Sequence, residues 1–238
     1  MPSEAVHRLL FENAQLPVLQ NRTYATQWEA RACVKGDVRL VEDLRSGLVY
    51  NATFRPELVV YDDDYQNEQI QSPSFHKHLD SVAEIVGRHL WRNGLVEVGC
   101  GKGSFFEILA ARGFDIEGFD PAYEGKNPRI RKRAFDGTLR ATGRGVILRH
   151  VLEHIQDPVE FLFEIQRANG GEGRIYIEVP CFEWICEHRA WFDIFYEHVN
   201  YFRMADFNRM FGTVLESGRL FSGQYLYVVA ELASLRRP

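Results

Sequence analysis

Four groups of residues in this chain have types and spacings that could do chemistry. The first is Glu97-x-Gly99-x-Gly101-x-Gly103, set between an apolar run (Leu95, Val96, Val98) and a helical pattern (Phe105, Phe106, Ile108, Leu109). That order predicts strand, tight turn and helix. Glycines allow the unusual backbone angles of such a turn and let a ligand approach the main chain. The helix that follows opens with free N–H groups. Pyrophosphate-binding turns favour G-x-G-x-x-G; here the glycines alternate, and an acid stands two residues before the first. A carboxylate there repels a pyrophosphate and suits a cationic ligand. The second group is Asp120, at the end of the next strand (residues 115–119), placed to accept both hydroxyls of a ribose. The third is His150-Val151-Leu152-Glu153-His154, which on a helix would set two imidazoles one turn apart. The fourth is Phe195-Tyr196-Glu197-His198-Val199-Asn200-Tyr201-Phe202, a histidine beside an acid in an aromatic stretch.

Alternating strand and helix patterns must position these groups. Phe75, Leu79, Val82, Val86 and Leu90 share one helical face, and Ser74 is a plausible N-cap for it. After the glycine turn and the second strand, a third unit ends at Ala134-Phe135-Asp136-Gly137, where Asp136 approaches a bound ligand or caps a turn. Residues 145–149 form a fourth, buried strand; Asp157 and Pro158 cap the helix after it; residues 173–180 form a fifth strand. A short helix over residues 204–211 and a hairpin of residues 213–221 and 225–232 close the chain. Ligands of an open α/β sheet bind beyond the carboxyl ends of its strands. Residues 181–203 emerge there, and their aromatic side chains suggest a pocket wall. Residues 5–70 lack the strand–helix alternation. Short segments at 16–19, 38–41 and 47–50 suggest a small antiparallel module, and Tyr61 to Glu68 form an acidic, aromatic connector, by default a solvated linker.

The E-x-G-x-G-x-G run and the acid at Asp120 resemble motif I and the second-strand acid of class I S-adenosylmethionine (SAM) methyltransferases. That ligand carries an ammonium, a sulfonium and a ribose. The resemblance implies an α/β, Rossmann-like seven-stranded sheet of order 3-2-1-4-5-7-6, over residues 71–238, behind the β-rich module of residues 1–70. It implies that Glu97, Gly99, Cys100, Gly101, Gly103, Asp120, Pro121, Asp136, Arg149 and His150 surround SAM. Leu16 to Asn21 and Arg39 to Asn51 further resemble the N-terminal zinc module of nucleotide-sugar C-methyltransferases. In that family cysteines stand where this chain has Gln20, Asp43 and Ser46, so the module is expected to hold no zinc. The family also carries an H-V-L-E-H-I run after strand four; a peptidase-type zinc site would need a helix in another fold with a further acidic ligand, and no metal ligand is expected there. The aromatic stretch matches the family's catalytic run, with Phe195 and Tyr196 in place of its tyrosine and histidine. His198 is thereby expected as general base, Glu197 as its orienting partner and Tyr196 as a donor to developing charge; a satisfied structural histidine is the competing reading. The family's larger members continue into a C-terminal domain that is not expected here.

Composition bounds the partners. The 238 residues are 45% hydrophobic and 26% charged, with a formal charge of −5, which suits a soluble domain and gives no global pull toward nucleic acid or membrane. Arg129, Arg131, Lys132 and Arg133 read as a solvated loop or as a contact for an anionic substrate. No apolar run spans a bilayer, and the first residues lack a leader pattern, so the cytoplasm is the default expectation. Cys33, Cys100, Cys181 and Cys186 form no C-x-x-C pair and are expected as free thiols. The expected acceptor is a small molecule, foremost a nucleotide-activated sugar methylated at carbon. An O- or N-methyltransferase of another metabolite and a catalytically silent SAM-binding partner compete with that reading.

Overall fold

The computed structural model describes residues 7–20, 22–60, 72–135 and 144–238. It contains two sheets. The strands of the larger are β4 (Leu95–Val98), β5 (Ile116–Phe119), β6 (Ile130–Arg131), β7 (Gly145–Arg149), β8 (Arg174–Pro180), β10 (Val214–Leu220) and β11 (Tyr225–Glu231). The smaller holds β1 (His7–Pro17), β2 (Lys35–Asp43), β3 (Val49–Asn51) and β9 (Asn200–Tyr201). The helices are α1 (Gln27–Arg31), α2 (Pro73–His89), α3 (Ser104–Ala111), α4 (Pro158–Ala168), α5 (Phe182–His188) and α6 (Met204–Met210).

The large sheet runs β10-β11-β8-β7-β4-β5-β6. With this sheet's strands numbered one to seven along the chain, the order reads 3-2-1-4-5-7-6 from the β6 edge, as expected. β4 pairs in parallel with both β5 and β7, and β7 with β8, whereas β11 is antiparallel to β8 and β10. The central strands are buried on both faces, hence their continuous apolar runs. One core packs α4, α6 and the β10–β11 end against the sheet through Leu162, Ile165, Phe207 and Val228. A second seats α2 and α3 on the other face through Leu79, Val82, Val86, Phe106 and Leu109. The loops that must build a site therefore leave the carboxyl ends of β4, β5, β7 and β8 on one rim.

Local chemistry sets several boundaries. Asp157 caps α4 by accepting from Glu160 N at 3.1 Å, with Pro158 first in the helix. α2 starts two residues earlier than expected: Ser72 is the N-cap and Pro73 opens the helix, while Ser74 exchanges a hydroxyl hydrogen bond with Ser72. The third strand lies at Ile130–Arg131, inside the basic run expected as a loop. Arg129 pairs with Asp115 at 2.6 Å and Arg131 with Glu117 at 2.9 Å, so neighbouring acids on and beside β5 answer these charges.

The small sheet runs β1-β2-β3-β9 and takes its fourth strand from far along the chain, pairing Val49 with Tyr201 and Tyr50 with Asn200. Its core joins Val18, Val38, Leu40 and Val49 to Phe182, Ile185, Tyr196 and Tyr201. Residues 1–70 thus supply three of its four strands, and the aromatic segment supplies the last strand and much of the core. No helix among the described residues is long and apolar enough to cross a membrane.

Candidate active site

The glycine turn is built as the sequence spacing requires. Gly99, Gly101 and Gly103 all have positive φ (+72°, +55° and +85°), a region costly for residues with a Cβ. A Cβ at Gly99 would collide with Val151, one at Gly103 would lie 2.7 Å from Ile130 Cδ1, and one at Gly101 would meet nothing within 4 Å. The middle glycine is therefore the open one. Asp120 is tied to this turn: its Oδ2 accepts from Gly101 N and its Oδ1 from Ala122 N, both at 2.8 Å. The exposed Pro121 follows it. Cys100 contributes backbone, accepting from Gly103 N at 2.9 Å; its thiol is buried beside Gly118, and burial pushes its pKa up. Asp136 lies outside the described residues.

Glu97 is 2% exposed, and its Oε2 makes no hydrogen bond. Burial pushes its carboxyl up to about 8, with the charge of Asp120 adding to the rise and that of Arg149 opposing it. A buried acid in this condition is ready to ionise against an incoming cation.

Arg149 and His150 stand at the end of β7, but both turn their charge toward Glu178 of β8. Glu178 Oε1 lies 2.9 Å from Arg149 Nη2 and 3.1 Å from both His150 Nε2 and His78 Nε2, while its Oε2 accepts from Tyr176 OH at 2.7 Å. Burial works against charge on Glu178, yet Arg149, His150 and His78 hold its carboxyl well below the usual range. His150 takes a left-handed φ of +53°, and its Nδ1 lies 3.4 Å from Glu153 Oε1. Burial alone would lower its pKa; the adjacent carboxylates of Glu153 and Glu178 raise it instead to about 9. This ring is an imidazolium bridging two acids. Arg149 also covers the ring of Phe105 at 4.6 Å, in the first turn of α3, so the hub borders the glycine turn.

Across that turn, Val151 leads into a 3₁₀ turn, Leu152–His154. The H-x-x-E-H spacing therefore does not lie on an α-helix, and His150 and His154 do not share a helical face. The segment after Phe195 is fastened onto this turn. Val199 N donates to Glu153 O at 2.7 Å, Asn200 Nδ2 to Ile155 O at 2.6 Å, and His154 Nδ1 to Glu197 O at 3.0 Å. These bonds set His198 against Glu153 and His154, its ring centroid 4.9 Å from that of His154 and 4.6 Å from Phe195. Glu153 is buried, both of its carboxylate oxygens lack a hydrogen bond, and so does the buried Nδ1 of His198. Burial first, and then the neighbouring His154, lower the His198 pKa to about 3, so the ring is neutral. So reluctant a proton acceptor makes a weak base on its own.

The other two residues expected beside His198 lie elsewhere. Glu197 turns toward the small sheet and accepts from Gln20 N at 3.3 Å. Tyr196 is 1% exposed in the small sheet's core, where its hydroxyl accepts from Arg55 N at 2.9 Å. Tyr196 is thus a structural residue of the small sheet rather than a donor beside His198: a Cβ on Gly36 would overlap its ring. Much of the aromatic segment likewise joins the two sheets instead of lining a pocket, and Trp191 and Phe192 face solvent. Asp43 accepts from Ser46 Oγ at 3.0 Å within the β2–β3 connection, while Gln20 reaches Phe192 O at 3.4 Å. The Glu178 hub was not anticipated; its one trace in the sequence is the pair Tyr176 and Glu178, two apart and so on one face of a strand.

The comparisons with known proteins agree with this fold. The family model of the methyltransferase domain matches residues 68–214, and the chain belongs to that family. No curated protein sequence matches it. Among solved structures it is similar to a SAM-dependent methyltransferase from Aquifex aeolicus, at 14% identity and TM-score 0.50 over 69% of this chain and 95% of that one. It is also similar to a chain in the Haloferax volcanii complex of the Trm112 methyltransferase activator with its candidate methyltransferase (15% identity, TM-score 0.53, 66% and 89% covered). A longer Nostoc punctiforme chain, a candidate O-methyltransferase, is matched over 57% of its length and 68% of this chain, at 16% identity and TM-score 0.49.

Proposed function

We propose that this methyltransferase moves a methyl group from SAM to a small-molecule acceptor, foremost the carbon next to the carbonyl of a nucleotide-activated ketosugar. The observation that carries the cofactor assignment is the buried Glu97, one oxygen without a hydrogen bond, beneath a turn whose middle glycine faces open space. Those features fit a ligand with a cationic amino-acid end that lies against backbone. Glu97, Gly99, Gly101 and Gly103 would hold that end, Asp120 the ribose hydroxyls, and Arg149 and His150 the border of the site. Asp136, from the resemblance, belongs to the adenine side. When bound, SAM supplies an electrophilic methyl group on a sulfonium.

The protein's remaining task is to place the acceptor and remove its proton. In this reading the proton beside the ketosugar carbonyl leaves at the Glu153, His154 and His198 cluster, and the resulting enolate carbon is the nucleophile. Glu153 balances positive charge that gathers there. The chain thereby belongs to carbohydrate biosynthesis in the cytoplasm, with its N-terminal sheet as a zinc-free counterpart of the family's module. The sugar assignment rests on the aromatic run around His198. O- or N-methylation would use the same cluster to deprotonate a hydroxyl or an ammonium.

Calorimetry with S-adenosylhomocysteine, followed by product analysis with methyl-labelled SAM and a panel of nucleotide ketosugars, tests both parts. Binding, and label at a sugar carbon, are expected. Absence of S-adenosylhomocysteine binding overturns the cofactor assignment, and label on oxygen or nitrogen overturns the site of methylation.

A further inference from the structure

Beyond the cofactor site, one group of side chains is assembled with more care than packing requires. Glu153, His154 and His198 each offer a ligand atom, and these atoms all lie within 4.8 Å of one another. They come from two segments far apart in sequence, brought together by the three hydrogen bonds between residues 153–155 and 197–200. We infer that they form a binding site for one divalent transition-metal cation, which activates the acceptor's oxygen.

Three features point to a ligand. Glu153 is 1% exposed, and neither carboxylate oxygen is hydrogen-bonded; burying a carboxylate in that state is costly unless something binds it. The nearest cation is His150 Nδ1, 3.4 Å from Oε1, which leaves Oε2 with no partner of its own among the hydrogen bonds. His198 Nδ1 is buried and also makes no hydrogen bond. Finally, His154 Nδ1 donates to the Glu197 carbonyl at 3.0 Å. A carbonyl can only accept, so a neutral His154 carries its lone pair on Nε2, and a backbone carbonyl on the far nitrogen is how metal-ligating histidines are oriented.

Two imidazoles and one carboxylate select zinc, cobalt, manganese or iron rather than magnesium, which prefers oxygen. Three protein ligands leave a coordination position for water or substrate. Val151, which leads into the turn that carries Glu153 and His154, packs against Gly99, so this turn neighbours the glycine turn. On the reading that the acceptor is deprotonated at this cluster, its carbonyl or hydroxyl oxygen binds the cation. A hydroxide held by the cation would take the acceptor's proton and leave as water, the cation would balance the charge left on the acceptor's oxygen, and His198 serves as a ligand rather than as the base.

The test uses the full chain, stripped with a chelator, dialysed and titrated with Co²⁺ while its visible absorption is followed. Zinc is measured by elemental analysis, and S-adenosylhomocysteine binding by calorimetry on the same samples. One equivalent of Co²⁺ or Zn²⁺ is expected. Glu153→Gln and His198→Gln should weaken it by at least about tenfold, with near-native circular dichroism and S-adenosylhomocysteine affinity, and Cys186→Ser should leave it unchanged. No uptake by the native chain, or equal uptake by both site variants, overturns the inference and leaves Glu153 as the ion-pair partner of His150. Metal uptake lost in the two variants, in a protein that ignores S-adenosylhomocysteine, upholds the cation site and sinks the SAM assignment alone.

Discussion

Glu97 is the residue on which binding and stability trade. Its folded-state carboxyl titrates near 8 instead of near 4.5, so the folded protein keeps a proton that the unfolded chain has released. Its contribution to stability is complete below about pH 4.5 and is lost as the pH rises through about 8. Glu97→Gln should flatten this part of the stability profile, measured as urea midpoints between those limits. The same ionisation favours a cationic ligand, so S-adenosylhomocysteine affinity should rise across that interval in the native protein and stay flatter in the variant; parallel profiles would show that Glu97 does not face the cofactor. Glu178 carries the opposite lesson. Removing one partner from a buried ion pair costs about 3–5 kcal/mol, so Arg149→Met should lower the thermal midpoint sharply, whereas exposed pairs such as Arg129–Asp115 (side chains 43% and 68% exposed) contribute at most about 1 kcal/mol.

At the scale of elements, the glycine turn offers a controlled comparison. Gly103 and Gly113 have nearly equal φ values, +85° and +81°, but a Cβ at Gly103 meets Ile130 while one at Gly113 meets nothing. Alanine at either site pays the left-handed strain, roughly 1–2 kcal/mol. Only Gly103→Ala should also lose S-adenosylhomocysteine affinity, because it displaces β6 from the turn. Asp157→Ala, which removes the α4 cap, should cost about 1 kcal/mol in chemical denaturation without touching binding. The turn was legible in the sequence because its requirements are local: an acid, three glycines and the helix that follows. β6 was not, since Ile130–Arg131 sits in a basic run whose charges find acids on and beside a neighbouring strand. The Glu178 hub escaped for a similar reason, as its partners arrive from α2, the end of β7 and β8, and no spacing rule connects them. His198 was singled out by its neighbours in sequence; its setting beside Glu153 and His154 depends on hydrogen bonds between distant segments.

For the whole molecule, the strands and helices of the large sheet followed from alternating patterns and their order from the methyltransferase resemblance, while the completion of the small sheet followed from neither. A two-residue strand has no periodicity to detect. The joint between the sheets can be probed at Tyr196, whose replacement by alanine empties a fully buried ring site and should cost about 3–5 kcal/mol. Because Val199 and Asn200 hold residues 153–155, Tyr196→Ala should also loosen the acceptor side, lowering turnover more than S-adenosylhomocysteine affinity; unchanged turnover in a destabilised protein would confine Tyr196 to the small sheet. The position of β9 has a consequence for synthesis. β1, β2 and β3 leave the ribosome before the strand that closes their sheet, which follows only after most of the large sheet has been made, a delay on the order of 10 s. Until then β3 presents an open edge and the apolar faces of Val38, Leu40 and Val49 lack Tyr196 and Tyr201. The pairing that covers this edge also draws residues 197–200 against residues 153–155, so the small sheet and the His198 setting are completed together.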